Sequence, residues 1–181
     1  TMFYLDAATA MPARKEVIDK MIPYFTEHFG NPSSIHGGGR GPRVAMDDAR
    51  NNVANLINAD PNEIVFTSGA TESINLALRG PLPFIKDEKK RVLVSSVDHR
   101  SVTSTAAALS SSGYDVVKLP VDRYGTIDLS EAERIMSDGC SILSVPFASG
   151  EVGSIQPLKE LTEMAHSRNA LVHVDLTQSA F

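Results

Sequence analysis

Only one cysteine, Cys140, occurs in 181 residues, so no internal disulfide framework can form and a reducing compartment is the fitting environment. Long apolar runs are missing as well. None approaches the roughly 18 residues that a membrane-spanning helix needs, and the opening residues Thr-Met-Phe-Tyr-Leu-Asp hold no basic segment followed by an apolar stretch. The expectation is a soluble, cytoplasmic protein. Basic charge is also scarce: 17 Lys and Arg stand against 22 Asp and Glu, for a net charge of -5. That balance argues against a nucleic-acid surface and for a small substrate or a protein partner. Internal repeats, linkers and low-complexity segments are absent. With 42% hydrophobic and 22% charged residues, the chain suits one compact domain with a substantial core, or part of one.

Val17, Ile18, Met21, Ile22 and Phe25 recur at three-to-four spacing, which predicts an amphipathic helix over about Ala13 to Phe29, closed by Gly30, Asn31 and Pro32. The stretch from Ile35 to Gly41, IHGGGRG, has four glycines and no period, so it reads as a loop. Ala45, Ala49, Val53, Leu56 and Ile57 then mark a second helix. These runs divide the chain into an N-terminal segment (1–12), a helical region (13–60) and an α/β region (61–181). In the last, short β-rich runs are expected at Ile64 to Thr67, Arg91 to Ser96, Asp115 to Leu119, Ser141 to Val145 and Leu171 to Asp175. Helical stretches separate most of them. One carries Ser130 with Glu133 three residues on, the pattern of a reciprocal cap. Another starts at Pro157, buries Leu158, Leu161 and Ala165, and closes with Arg168 and with Asn169 suited to a left-handed cap. Strands reading Val-Leu-Val or Leu-Val-His-Val, alternating with helices, imply a mostly parallel sheet covered on both faces. Sites in such sheets form at the carboxyl ends of the strands.

Three segments place chemistry there. In Phe66-Thr67-Ser68-Gly69-Ala70-Thr71-Glu72 a strand breaks at glycine and enters a helix, whose free amides could hold a phosphate. The competing reading is an ordinary helix capped by Ser68. No Gly-Lys-Ser/Thr follows, so it is not a P-loop. Val172-His173-Val174-Asp175-Leu176-Thr177-Gln178 ends an apolar strand on an acid, which can pair with a pyridinium nitrogen, bind a metal, or serve structure alone. His173 and Asp175 share a strand face, yet no third metal ligand lies at characteristic spacing. Finally, Ser95-Ser96-Val97-Asp98-His99-Arg100-Ser101-Val102 offers an imidazole that can stack on a planar ligand or carry protons near neutrality.

Taken together with YLD near the start, FGNPSSIH at Phe29 to His36, FTSGATESINLAL at Phe66 to Leu78, DHRSV at Asp98 to Val102, EVGSIQP at Glu151 to Pro157 and HVDLTQS at His173 to Ser179, the chain resembles cysteine desulfurases of the NifS/IscS type. The motifs occur in that family's order, and the resemblance covers nearly all 181 residues. It implies the fold-type-I architecture of pyridoxal-5'-phosphate (PLP) enzymes, here the large α/β domain in part, with the small C-terminal domain absent. It also implies removal of sulfur from L-cysteine to leave L-alanine, with the sulfur held as a persulfide for an iron-sulfur scaffold or another acceptor protein, in a homodimer. By match, Ala70 and Thr71 would bind the cofactor phosphate, and His99 would stack on the ring and transfer protons. Asp175 would pair with the pyridine nitrogen, and Gln178 would hydrogen-bond the ring's phenolic oxygen.

The match has departures. Ser149-Gly150 stands where the family has an Asn-Asn pair, and Gly150 removes a side chain that faces cofactor and substrate. Ala8-Thr9-Ala10-Met11-Pro12 replaces Ala-Ala-Thr-Thr-Pro, and Asp98 replaces a glutamate. The family's cofactor-binding lysine follows the Asp-Gln segment by some two dozen residues, and its persulfide cysteine lies later still; neither has a counterpart here. Cys140 is expected to be a packing residue. The rival readings are a selenocysteine lyase, another enzyme of the same aminotransferase-like branch, or a catalytically idle homologue acting as a scaffold.

Overall fold

The computed structural model describes residues 3–7, 10–86 and 90–179. Two compact units divide the chain, Thr1–Phe66 and Thr67–Phe181. Of the departing stretch Ala8 to Pro12, Ala8 and Thr9 lie outside the described residues.

In the first unit, helix α1 (Lys15–Thr26) carries the expected apolar stripe and is shorter at both ends than its periodicity suggests. Pro23 sits inside it, and the amides of Glu27 and His28 both turn to the Pro23 carbonyl as the helix ends. Helix α2 spans Gly37–Ile57, so the glycine-rich stretch from Gly37 to Gly41 is helical rather than a loop. The reason is close approach. A Cβ on Gly30 would stand 1.9 Å from the Gly38 carbonyl oxygen, and one on the buried Gly39 would meet the Asn31 and Ser34 carbonyls at 2.5 and 2.7 Å. These glycines let two backbones touch, a tertiary requirement that outweighs their poor helix propensity. Asn58, at φ 55°, caps α2 in the left-handed region.

Residues 64–67 form no strand. Their β-rich composition suits extended backbone, but a strand exists only through hydrogen bonds to a neighbour. No strand among the described residues pairs with them; instead the Arg50 guanidinium donates to the Ile64 carbonyl and stacks over Phe66.

The second unit is built on four parallel strands, β1 (Val92–Ser95), β2 (Val116–Leu119), β3 (Ile142–Pro146) and β4 (Leu171–Asp175), in the order β2-β1-β3-β4. Alternation divides their side chains between two cores. Val92, Val94 and Ile142 face helices α3 (Ala70–Arg79) and α4 (Arg100–Ser111), where Ile74, Leu78, Val102, Ala106 and Leu109 close one core. Leu93, Leu143 and Val145 face the opposite way, toward α5 (Leu129–Ser137) and α6 (Leu158–His166) with Ile135, Met136, Leu161 and Ala165. The row Val117, Leu93, Leu143, Val172 runs in register across all four strands on that second face. β1 and β3 are buried along their whole length, whereas β2 and β4 are partly exposed edges. This is the expected parallel sheet with helices on both faces.

One helix start refines the sequence reading. Asp128, not Ser130, caps α5: its carboxylate accepts from the amides of Ser130 and Glu131, and the Ser130 hydroxyl donates to it as well. A charged acceptor two residues earlier satisfies the first turn better than a hydroxyl inside it. Helix α6 ends as anticipated, with Arg168 donating to the Met164 carbonyl at 2.9 Å and Asn169 at φ 56°.

Candidate functional site

The start of α3 is capped by Gly69, and no side chain among the described residues bonds its first-turn amides. Ser68, the alternative cap, is engaged elsewhere: its amide and hydroxyl both donate to Glu72 Oε2, at 2.7 and 2.6 Å. Those two bonds, the hydroxyl's first, hold the Glu72 carboxyl below the usual glutamate range. The first-turn amides are therefore left for an outside acceptor, and at the helix N-terminus an anion is favoured. A Cβ on Gly69 would meet no atom within 4 Å, so the space beside the turn is open.

His99 reaches the same end of the sheet from the β1–α4 turn. It caps α4, with Nδ1 accepting the Ser101 amide at 3.1 Å. A ring nitrogen that accepts from a backbone N–H cannot carry the proton, so in the neutral ring the proton sits on Nε2. Ser101 Oγ lies 3.1 Å from that Nδ1 and 3.0 Å from Thr71 Oγ1. Thr71 and His99 are thus joined through one hydroxyl, and they line a common groove of about 370 Å3 with Asn75, Arg79 and Arg100.

On the other side of the α3 start, a cleft of about 400 Å3 is lined by Gly69, Ala70, Ser73, His173, Asp175 and Thr177 among others. Asp175 closes β4 on the face toward α3 and α4. Its Oδ1 accepts from the amide and hydroxyl of Thr177, at 2.9 and 2.5 Å, while Oδ2 carries no hydrogen bond among the described residues. That oxygen is available to a donor in the cleft. His173, two residues back on the same face, is partly buried and pairs with Ser144 Oγ at 2.9 Å. Burial pushes its imidazole pKa below the ordinary value, and the Asp175 charge pulls the other way. No group of three or more His, Cys, Asp or Glu side chains among the described residues could hold a metal ion.

Gln178 is exposed beyond β4, and an added Cβ at Gly150 would lie 3.4 Å from its Cγ, an ordinary contact. The six positions singled out in sequence therefore fall on one end of one unit. Ala70 shares a cleft with Asp175, Thr71 a groove with His99, and Gln178 adjoins Gly150. Gln156 is a structural residue that pattern matching does not explain. Its buried amide donates to the Gly125 carbonyl and accepts the Ile127 amide, each at 2.9 Å, and so ties residues 125–127 to the segment leading into α6. Cys140 packs in the core beside α5 and α6, and burial pushes its thiol up to about 12.

Against this geometry, the model of the aminotransferase class-V family matches residues 3–181. The chain is 46% identical over 178 residues to cysteine desulfurase IscS 1 of Archaeoglobus fulgidus, covering 98% of this chain and 46% of that protein. Identity to cysteine desulfurase IscS of Methanosarcina thermophila is 41% over 176 residues, or 97% and 44% of the two chains. Among solved structures, a NifS-like protein superposes with a TM-score of 0.90 at 35% identity, covering 95% of this chain and 48% of that one. SspA in complex with cysteine superposes with a TM-score of 0.91 at 32% identity, covering 97% and 51%. The chain spans about half the length of these relatives. Among the described residues, no helix is long and apolar enough to cross a membrane.

Proposed function

Since this chain belongs to the aminotransferase class-V family, we propose that the whole protein is a PLP-dependent cysteine desulfurase, converting L-cysteine to L-alanine and passing the sulfur to a protein acceptor. The observation that carries this reading is the convergence on one cleft of an α3 start without a side-chain cap and an Asp175 oxygen without a hydrogen bond among the described residues. An anion-binding helix start and a carboxylate lining one cleft suit a group bearing phosphate at one end and a basic ring nitrogen at the other. When bound, PLP supplies an electron sink for the substrate's α-carbon.

The chain's own residues then have distinct tasks. Amides of Ala70 and Thr71, with the Thr71 hydroxyl, would hold the phosphate. Asp175 Oδ2 would accept from the ring N–H and keep the proton on that nitrogen, oriented by the two bonds from Thr177 to Oδ1. His99 would stack on the ring, and because its Nδ1 is occupied as a helix cap, Nε2 would be the atom that moves a proton. Gln178 would donate to the phenolic oxygen. Cys140 is not the sulfur-accepting thiol: a buried group ionising at about 12 yields almost no thiolate at neutral pH.

The full-length protein, supplied with PLP and L-cysteine, is expected to release alanine and sulfur in equal amounts. Formation of a keto acid in place of alanine would instead identify an aminotransferase. Failure to bind PLP at all would favour an idle homologue. Restoring the family residue provides a finer check. Gly150→Asn has room beside Gln178, and one added hydrogen bond of about 1 kcal/mol should lower the PLP Kd or the cysteine KM roughly fivefold. If both constants stay unchanged or worsen, Gly150 does not face the ligand.

A further inference from the structure

Asp98 is 8% exposed and follows the fully buried β1 by three residues. Its Oδ2 accepts the Ser95 amide at 2.8 Å, while Oδ1 is buried with no hydrogen-bond partner. No ion pair involves it among the described residues. A bare carboxylate oxygen in that position is far more costly than a neutral one, because an unpaired charge forfeits its hydration without compensation. The titratable groups of the surrounding elements offer little relief. β4 brings Asp175 and His173, the first turn of α4 brings Arg100 next to its cap His99, and the first turn of α3 brings Glu72, which is bound to Ser68; β3 brings none. His173 has its Nδ1 on Ser144.

We infer that Asp98 carries a proton on its buried, unpaired Oδ1, so that a neutral carboxylic acid rather than a second carboxylate stands at this end of the sheet. The titration agrees with the geometry. Burial first, and then the negative charge of Asp175, push the Asp98 carboxyl up to about 7, against the downward pull of the Ser95 amide. Two carboxyls that feel each other in this way cannot both ionise freely, and Asp98, the more deeply buried of the two, is the one that takes the proton. The proton on Asp98 then responds to whatever Asp175 holds. A cation at Asp175 offsets the charge that keeps Asp98 protonated, so loading such a group releases the Asp98 proton near neutral pH. This last step rests on the proposed pairing of Asp175 with the cofactor ring; the proton on Asp98 does not.

Infrared difference spectroscopy on the full-length protein, free of cofactor and titrated from about pH 5 to about pH 9, tests the inference directly. A carboxylic-acid carbonyl band should disappear with a midpoint near 7, be absent in Asp98→Asn, and titrate at lower pH in Asp175→Asn. Absence of the band in the wild type, its persistence in Asp98→Asn, or an unmoved midpoint in Asp175→Asn would overturn the inference. Stability gives a second readout. The folded state holds a proton that the unfolded chain releases, so Asp98 makes the protein less stable as pH rises from the ordinary aspartate range through about 7. Asp98→Asn should therefore gain in urea midpoint over the wild type above that window and not below it. The same titration on cofactor-loaded protein addresses the other reading. A midpoint that fails to fall on loading would count against a cation at Asp175 while leaving the Asp98 proton in place.

Discussion

Replacing Asp175 with alanine in the full-length protein is expected to lower cysteine turnover at least about a hundredfold, roughly 2.7 kcal/mol in barrier. A neutral pyridine is a poor electron sink, and among the described residues no other carboxylate lines the cleft beside Gly69 and Ala70. The comparison should be made at saturating PLP, so that weaker cofactor binding is not mistaken for slower chemistry. A variant within about threefold of the wild type, roughly 0.7 kcal/mol, would show that Asp175 has a different role. Asp175→Glu is a useful companion, since it keeps the charge but displaces it from the grip of Thr177.

The second large effect is expected on stability. Leu143 has no exposed surface and occupies the centre of the row Val117, Leu93, Leu143, Val172, with α5 and α6 packed over that face. Leu143→Ala removes three carbons where the neighbouring strands cannot close in, because parallel pairing fixes β1 and β3 at their spacing. A loss of about 3 to 5 kcal/mol in urea unfolding is expected, at the upper end for such truncations. Val172→Ala, in the same row but on the partly exposed edge strand, should cost about 1 to 2 kcal/mol. Equal costs at the two positions would mean that the row does not pack as one continuous core.

What could be read from sequence is what local chemistry determines. A glycine ahead of a helix and an acid at the end of an apolar strand announce the α3 start and Asp175 with no knowledge of the rest. The parallel sheet follows from strands too apolar to face water on either side. Other features depend on distant partners. Gly37 to Gly41 looked like a loop because the reason for its buried Gly39, the carbonyls of Asn31 and Ser34, lies in another segment. Residues 64–67 have strand composition, yet being a strand is a property of a pair. Asp98 looked like a conservative shortening of glutamate, since neither its burial nor its orphaned Oδ1 is visible in a pattern. One sequence signal could have flagged it: an acid three residues after a run, Val92 to Ser95, that has no access to water.

The strand order has a consequence for how such a protein can change. From β1 the chain passes through α4 on one face to reach β2, and from β3 it passes through α6 on the other face to reach β4. Leaving neighbouring strands in opposite directions, the two connections part, and a crevice opens at the carboxyl ends of β1 and β3. Connectivity alone makes that opening, so no side chain in the site is needed to maintain it. Residues around it can be exchanged, an asparagine for Gly150 or a glutamate for Asp98, without closing the place where a ligand enters. The scaffold and the chemistry are thereby free to vary separately, and selection can alter what is bound while the sheet that presents it stays the same.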